Sequence, residues 1–190
     1  MLETVLQFVV PALWISWLLY WFVAARAVKT TRWREPASSQ LLHRAPLFLT
    51  ALLLVGGRHL PSLLTQRFLP QTSAGPVFGV VMVALGLGFA VWARRHLGPN
   101  WSSIVTLKEG HALIRTGPYG YVRHPIYSGM LLALLGTAVV IGEWRGLLAF
   151  ALAFASLAFK SRVEEGRMRE IFPEYDQYCH DTVALIPWVF

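Results

Sequence analysis

The stretch Gly117-Pro118-Tyr119-Gly120-Tyr121-Val122-Arg123-His124-Pro125-Ile126-Tyr127-Ser128-Gly129 combines rigid turn residues with aromatic rings and cationic side chains. Proline fixes the backbone dihedral φ, and glycine lets another group approach the backbone closely. Tyrosine offers a flat apolar face with a hydroxyl at its edge. Because an apolar helix is predicted to follow directly, the segment indicates a rigid, donor-rich turn where water gives way to lipid. A membrane protein could hold a polar ligand at such a place.

The rest of the chain is strongly apolar. Of its 190 residues, 55% are hydrophobic and 14% are charged, against about 25% charged in an average soluble domain. A helix needs about 20 apolar residues to cross a bilayer. Five apolar stretches predict such helices, at about residues 3–25, 45–64, 76–95, 125–142 and 146–161. We therefore predict an all-α integral membrane protein with five transmembrane helices, in which a cytoplasmic loop and a C-terminal helical tail form a ligand site.

The distribution of positive charge predicts the orientation of the chain in the membrane. The net charge is +7, and the lysines and arginines lie almost entirely between helices one and two, between helices three and four, and after helix five. The other side carries Arg58, Arg67 and Arg145. By the positive-inside rule, the basic side is cytoplasmic, the N-terminus lies outside and the C-terminus lies inside. Anionic lipid headgroups account for the basic loops, so no nucleic-acid partner is predicted.

Several kinds of site do not match the sequence. No His-x-x-x-His or Glu-x-x-His pair is present, and we predict no metal site. Ser128 lacks the Gly-x-Ser-x-Gly turn of serine hydrolases. Gly86-Leu87-Gly88 begins like a dinucleotide-binding fingerprint but lacks the final glycine and the flanking strand. The single cysteine, Cys179, is expected to be a free thiol.

Two segments on the predicted cytoplasmic side converge, because each adjoins the hairpin of helices four and five. These segments, about residues 98–124 and 160–188, hold the adjacent carboxylates Glu164 and Glu165, and four of the six histidines lie in or beside them: His96, His111, His124 and His180. Carboxylates can accept hydrogen bonds from an ammonium group or a ribose diol. A polar small-molecule cofactor is one interpretation. The other is that the segment caps helix four at the membrane surface, and physical chemistry alone leaves both open.

The motifs of the second half of the chain resemble the isoprenylcysteine carboxyl methyltransferase family. The resemblance covers about residues 95–188, and its motifs occur in the family's order. They are His111-Ala112-Leu113-Ile114, Gly117-Pro118-Tyr119, Arg123-His124-Pro125-Ile126-Tyr127-Ser128-Gly129, Arg162-Val163-Glu164-Glu165, Phe172-Pro173-Glu174-Tyr175 with Tyr178, and Leu185-Ile186-Pro187. Where the family has a glycine after the phenylalanine, this chain has Pro173, which changes a turn.

The resemblance implies an integral-membrane methyltransferase that uses S-adenosylmethionine and releases S-adenosylhomocysteine. Glu164 is implied to hold the polar end of the cofactor. The catalytic candidates are Arg162, which would face the substrate with Lys160 as its alternative, and Glu165 and His124, which could take a proton from an amine acceptor. The remaining implied cofactor-binding residues are His111, Ala112, Leu113, Ile114, Tyr119, His124, Pro125, Ile126 and Tyr127.

We predict a single membrane domain, residues 1–190, with three transmembrane helices in 1–95 and the catalytic half in 96–190. The resemblance is to small members of the superfamily, which are widespread in prokaryotes, so the expected location is a prokaryotic cell membrane. The expected acceptor is lipophilic or prenylated, and carboxyl methylation of isoprenylcysteine is the model reaction. A phospholipid amine or a small thiol are alternative acceptors. An NADPH-dependent membrane reductase and a non-catalytic membrane scaffold are alternatives of other classes.

Overall fold

The chain forms a bundle of helices with one small sheet. The structure is a computed structural model that describes residues 2–26, 31–34, 37–70, 74–98, 106–108 and 113–185. Single turns of 3-10 helix lie at Gly57–His59 and Gly117–Gly120. The other elements are α1 (Leu2–Ala24), β1 (Thr31–Arg34), α2 (Ala37–Gly56), α3 (Ser62–Thr65), α4 (Ala74–Leu97), β2 (Thr106–Lys108), α5 (Pro125–Ile141), α6 (Trp144–Ile171) and α7 (Tyr175–Asp181).

The predicted helical architecture is confirmed, and the chain also has a small sheet whose pairing of residues 31–34 with 106–108 the sequence did not predict, although an extended piece is expected near 105–107. β1 and β2 pair antiparallel, with Thr31 opposite Lys108 and Arg34 opposite Thr106, and the register shifts between Thr31 and Trp33. Strands of four and three residues are too short to show a clear hydrophobic alternation. The sheet joins the segment after α1 to the segment after α4, so the two connections lie on the same side of the bundle.

Two of the described helices, α4 and α6, are long and apolar enough to cross a membrane by length and composition. The apolar parts of the other long helices, Phe8–Ala24, Gln40–Gly56 and Pro125–Ile141, are shorter. Phe78, Leu85 and Trp92 on α4 expose 62%, 62% and 50% of their surface. Large apolar side chains exposed along a helix of this length are expected to face lipid. Five spanning helices remain a prediction.

α4 and α5 approach so closely that their backbones come into contact at glycines. A Cβ atom added to Gly79 would lie 2.6 Å from the carbonyl oxygen of Gly136, and one added to Gly86 would lie 2.5 Å from that of Gly129. The reciprocal additions would clash in the same way. Small residues allow membrane helices this close approach. These four glycines, here called the glycine seam, fix the start of α5 against the end of α4.

The second predicted helix, at about 45–64, has the wrong limits. α2 begins at Ala37 and continues through Pro46, and it ends at Gly56. The chain then enters the 3-10 turn with Gly57 at a φ of +43°, a conformation that favours glycine. Leu60 is extended, as expected for a residue before proline. The helix therefore breaks before Pro61 rather than crossing straight.

The last predicted span and the tail helix after it form one continuous helix. α5 ends at Gly142, whose φ of +66° reverses the chain, and α6 then runs without a break to Ile171. The apolar stretch and the polar tail belong to one helix, because the backbone hydrogen bonds continue without interruption between Lys160 and Glu165. Lys160 and Glu164 therefore lie on the same face, four residues apart.

Candidate functional site

The segment before α5 is held in place by the C-terminal tail. The backbone N–H of Arg123 donates to Val183 O at 2.8 Å, and that of His124 donates to Ala184 O at 3.1 Å. His124 is the residue that precedes the first turn of α5, with Pro125 at the start of the helix. Proline suits that position because its fixed φ is helical and the missing N–H would have no partner within the helix. The side chains of His124 and Tyr127 are thus presented side by side.

Two carboxylates of α6 meet these side chains. Nδ1 of His124 lies 3.3 Å from Oε2 of Glu164, and Nε2 lies 3.2 Å from Oε1 of Glu165. The Tyr127 hydroxyl donates to Oε1 of Glu164 at 2.7 Å. The rings of His124 and Tyr127 are stacked, with centroids 5.4 Å apart and planes inclined by 2°. These four residues, with Arg123 and Lys160, are called the carboxylate cluster below.

Arg123 connects the carboxylate cluster to the tail. Its Nε donates to Oε1 of Glu165 at 2.7 Å. Its Nη1 donates to the carbonyl oxygens of Cys179 and Thr182, at the end of α7 and just after it. The other oxygen of Glu165, Oε2, lies 3.8 Å from Nη2 of Arg169. The Arg123 guanidinium therefore binds both the tail and a carboxylate of the site. Its planar group carries several N–H donors in fixed directions, which suits it to bind two partners at once.

Lys160 is the second cation of the cluster. Its Nζ lies 3.9 Å from Oε1 of Glu164 and 5.3 Å from the centroid of the Tyr127 ring. Its side chain is only 9% exposed. A cation beside a carboxylate and over an aromatic face is stabilised by both. The same surroundings, a carboxylate and a ring beside a buried ammonium, can hold a small zwitterionic ligand.

This arrangement changes the pKa of His124. Burial of the imidazole acts to lower its pKa, because it disfavours the charged form. The hydrogen bonds and negative charges of Glu164 and Glu165 act in the opposite direction and outweigh burial, so the pKa of His124 is raised. The site therefore favours the charged imidazolium more than water does.

An apolar wall lies next to the cluster. Tyr119 and Ile126 are buried together with Ala93 of α4, and Ile114 and Tyr127 pack against them. The Tyr119 backbone is held because the Tyr178 hydroxyl donates to its carbonyl oxygen at 2.6 Å.

His96, at the end of α4, covers the other side of Tyr119. The two rings are stacked with centroids 6.3 Å apart. Gly117 makes room for the imidazole, since a Cβ there would lie 2.7 Å from its Cε1 atom. The wall and the cluster together give an apolar surface with a polar end, which suits a ligand with a flat ring and a charged tail.

The structure brings most of the predicted site residues together. Half-buried Leu113 lies just before the apolar wall, and Pro125 is buried at the start of α5. His111 and Ala112 lie outside the described residues. Arg162 is exposed on α6, whereas Lys160 lies in the cluster. Among the described residues, no group of three or more His, Cys, Asp or Glu side chains is arranged to hold a metal ion.

Sequence reasoning missed the role of Arg123 and the part of His96 in the apolar wall. The motif contains Arg123, but the sequence analysis assigns it no partner. An arginine beside His124, in a chain with two adjacent glutamates on the converging segment, was a usable signal for an ion pair. His96 was noted only as one of several histidines, because its contact with Gly117 depends on the fold of the loop.

Comparison with known proteins gives a consistent family. The model of the phospholipid methyltransferase family matches residues 75–175, more than half of the chain. The protein-S-isoprenylcysteine O-methyltransferase of Schizosaccharomyces pombe is 30% identical over 149 residues, 72% of this chain and 62% of that protein. The cobalt-zinc-cadmium resistance protein CzcN of Cupriavidus metallidurans is 30% identical over 106 residues, 54% of this chain and 49% of that protein.

A solved structure shares the fold. The eukaryotic intramembrane Ras methyltransferase ICMT (isoprenylcysteine carboxyl methyltransferase) matches with a TM-score of 0.52 at 20% identity, over 82% of this chain and 54% of that one. The chain thus spans about half to two thirds of the length of the relatives it matches. The resemblance noted in the sequence is confirmed, and the chain belongs to the phospholipid methyltransferase family, among whose curated relatives are the protein-S-isoprenylcysteine O-methyltransferases.

Proposed function

We propose that this protein is an S-adenosylmethionine-dependent methyltransferase that acts at the membrane on a lipophilic acceptor. The observation that carries the proposal is the pairing of Glu164 with the Tyr127 hydroxyl at 2.7 Å, beside a buried lysine. Family membership supports methyl transfer as the reaction. The apolar helices around the site support an acceptor that partitions into lipid.

The residues present suit this cofactor. Glu164 would hold the cofactor's ammonium group, because its carboxylate already sits beside an ammonium, that of Lys160. The Tyr127 ring would face a cationic group, as it does in the structure. The apolar wall would receive the adenine, and Leu113, Ile114, Pro125 and Ile126 would line its site. The resemblance also implies His111 and Ala112 as cofactor-binding residues. When bound, the cofactor supplies an electrophilic methyl group on a sulfonium.

The protein's own contribution is positioning and exclusion of water. A carboxylate or thiolate acceptor is already anionic, so attack on the methyl group needs no general base. Lys160 is better suited than Arg162 to bind the acceptor's anionic group, because it is buried in the cluster while Arg162 is exposed. His124 and Arg123 hold the carboxylates of α6 in place from the side of α5.

We further propose that residues 1–190 form one membrane domain with the catalytic half in 96–190, and that the site faces the cytoplasm with the N-terminus outside. The basic residues on the side of the site support this orientation. The polar cofactor would then enter from water and the lipophilic acceptor from the bilayer, and the two would meet at the start of α5.

The acceptor we favour is the carboxylate of a prenylated cysteine, as in the names of the curated relatives. The family model's description gives a specific reason to test a second acceptor, a phospholipid amine. The two differ chemically: a carboxylate arrives ionised at neutral pH, whereas a phospholipid amine must lose a proton before it can attack.

The test begins with calorimetric binding of S-adenosylhomocysteine and, separately, of NADPH to the detergent-purified protein. We expect S-adenosylhomocysteine to bind and NADPH not to bind. Methyl transfer from radiolabelled S-adenosylmethionine is then measured with a prenylcysteine analogue, phosphatidylethanolamine vesicles and a small thiol. Binding of NADPH alone would replace the proposal by a reductase, and binding of neither ligand to folded protein would favour a non-catalytic scaffold.

A further inference from the structure

His124 faces a carboxylate with each of its two ring nitrogens. The distances are 3.3 Å from Nδ1 to Glu164 Oε2 and 3.2 Å from Nε2 to Glu165 Oε1. An ionised carboxylate can only accept hydrogen bonds. A neutral imidazole has one donor and one acceptor nitrogen, so it would set a lone pair against one of the two oxygens. Only the imidazolium, with a proton on each nitrogen, satisfies both contacts.

The surroundings of His124 keep both carboxylates ionised. Glu165 accepts from Arg123 at 2.7 Å and faces Arg169 at 3.8 Å. Glu164 accepts from the Tyr127 hydroxyl and faces Lys160 on its own helix. The groups that face His124 from the α5 segment are thus Arg123 and Tyr127, and those from α6 are Lys160, Glu164, Glu165 and Arg169. The three lysine and arginine side chains favour the anionic form of the two glutamates, and the His124 side chain is only 9% exposed.

We propose that His124 is a positioning residue that acts as a fixed imidazolium, joining Glu164 to Glu165, and that the site is therefore built for an acceptor that is already anionic. The part of this inference that concerns the methyl acceptor rests on the proposed function. Both protons of the imidazolium are committed to carboxylates, so His124 is not available as a base. The oxygens of Glu164 and Glu165 are themselves engaged by donors, which makes these carboxylates weak proton acceptors.

The reaction with such an acceptor balances without proton transfer. The acceptor's anionic oxygen or sulfur forms a bond to the methyl carbon while the bond between that carbon and the donor sulfur breaks. The electron pair of the broken bond stays on sulfur, and the positive charge of the sulfonium and the negative charge of the acceptor are both neutralised. An amine acceptor would instead have to release a proton, and carboxylates that lie beside several cations and donors are weak acceptors for it.

The direct test is nitrogen-15 NMR of the full chain with labelled histidine, in detergent and without cofactor. The His124 signals are identified by their loss in His124→Gln. His59→Gln serves as the matched control, since His59 is exposed in the 3-10 turn before Pro61. We expect both ring nitrogens of His124 to carry protons between about pH 6 and 8, the range in which ordinary histidines titrate. A neutral His124 at pH 7 would overturn the proposal.

The kinetic test compares a prenylcysteine carboxylate with phosphatidylethanolamine across the same pH range. We expect the carboxylate to react with a kcat/KM that is flat with pH, and the amine to react slower by about 100-fold or more, the usual contribution of a general base. An amine rate that rises tenfold per pH unit and loses this slope in His124→Gln would show that His124 is a base and would overturn the proposal.

The two tests separate this inference from the proposed function. A protein that methylates none of the acceptors but shows a doubly protonated His124 contradicts the proposed function and leaves the assignment of His124 supported. A protein that methylates amines as fast as carboxylates supports the proposed function and overturns the inference. Where His124→Gln fails to fold, Glu165→Gln gives a second comparison, because it replaces one of the two carboxylates that face His124 by a neutral amide and should let the imidazole give up its Nε2 proton more readily.

Discussion

The α5–α6 helix pair has an ionic cluster at each end, and the two are built differently. At the turn between the helices, Arg145 donates from Nε to Glu143 at 2.6 Å, only two residues away. Its Nη1 donates to the carbonyl oxygens of Leu53 and Leu54, at 2.9 Å and 2.7 Å, near the end of α2. Glu143 and Arg145 are here called the hairpin cluster. Most of the hydrogen bonds of Arg145 go to backbone carbonyl groups. The hairpin cluster thus joins the end of α2 to the turn between α5 and α6.

The carboxylate cluster at the other end joins residues that are far apart in the sequence, and its two anions are contacted by side chains. Hydroxyl, imidazole, ammonium and guanidinium groups all converge on Glu164 and Glu165. A ligand can replace a side chain at a carboxylate more easily than it can replace a helix carbonyl bound to arginine. The difference lies in the anions: several side chains that a ligand could displace contact Glu164 and Glu165, whereas Glu143 is contacted by an arginine that is itself held by helix carbonyl groups.

The sharpest test of this comparison is the replacement of the arginine at each end. We expect Arg123→Ala to abolish methyl transfer and to lower the free energy of unfolding by about 3–5 kcal/mol, because it removes the nearest cation from buried Glu165 together with the hydrogen bonds to the tail. Arg145→Ala should cost about 1–3 kcal/mol through its lost hydrogen bonds and should keep its activity per folded molecule. Thermal unfolding and radiolabel transfer measure the two effects. Equal loss of activity in both variants would remove the distinction between the clusters.

The next largest effect is expected from the glutamates. Glu164→Gln removes the negative charge that we assign to the cofactor's ammonium and should weaken binding of S-adenosylhomocysteine by about 100-fold, the upper range for a hydrogen bond to a charged group. Glu143→Gln is the matched control and should leave this affinity unchanged. Calorimetry on both purified variants measures the ratio. Unchanged affinity in Glu164→Gln would move the ammonium site away from the cluster.

A smaller effect separates the hydroxyl of Tyr127 from its ring. Tyr127→Phe removes the hydrogen bond to Glu164 but keeps the stacking on His124, and it should weaken cofactor binding by about tenfold. Tyr127→Ala removes both and should have the greater effect. The measurement is again the affinity for S-adenosylhomocysteine. If the two variants bind equally, the ring contributes nothing and the stacking argument fails.

The smallest effect is a dependence of stability on pH. Because the pKa of His124 is raised in the folded protein, its stabilisation is fully present below the unfolded value of about 6.5 and is lost as the pH rises through the folded value. The thermal unfolding midpoint should therefore fall as the pH rises above neutrality. Arg145→Ala leaves His124 in place and should keep this slope, and His124→Gln should reduce it. A slope that is the same in all three proteins would assign the pH dependence to another group.

The sequence predicted the limits of α1, α4 and α5 to within about two residues, but not those of α2 or the end of α6. The expected spans 76–95 and 125–142 correspond closely to α4 (Ala74–Leu97) and α5 (Pro125–Ile141), because each is an apolar run bounded by proline, glycine or charge. The start of α2 was misplaced, since the helix begins at Ala37 in a mostly polar stretch that a search for apolar runs excludes. The change from apolar to polar residues after about residue 161 predicts a new helix there. The backbone hydrogen bonds of a helix do not depend on side-chain polarity, so α6 continues through this change.

The site could be predicted as a meeting of two segments but not as a set of contacts. The convergence of His124 and Tyr127 with Glu164 and Glu165 followed from the hairpin alone. The choice between Lys160 and Arg162 depends on the helical phase relative to α5, and the structure brings Lys160 to Glu164. The link from Arg123 to the tail depends on a parallel pairing of Val122 with Val183. No local sequence pattern predicts this pairing.

The glycine seam also has a mechanical consequence. Where two helices touch through backbone atoms, no side chain lies between them at that point, so a change in their separation would either open a gap or force atoms to overlap. We therefore expect α4 and α5 to move as one unit, together with the apolar wall and the start of α5. Any opening of the bundle that admits a bulky molecule should then occur among the helices packed around this pair, with the geometry at the start of α5 preserved.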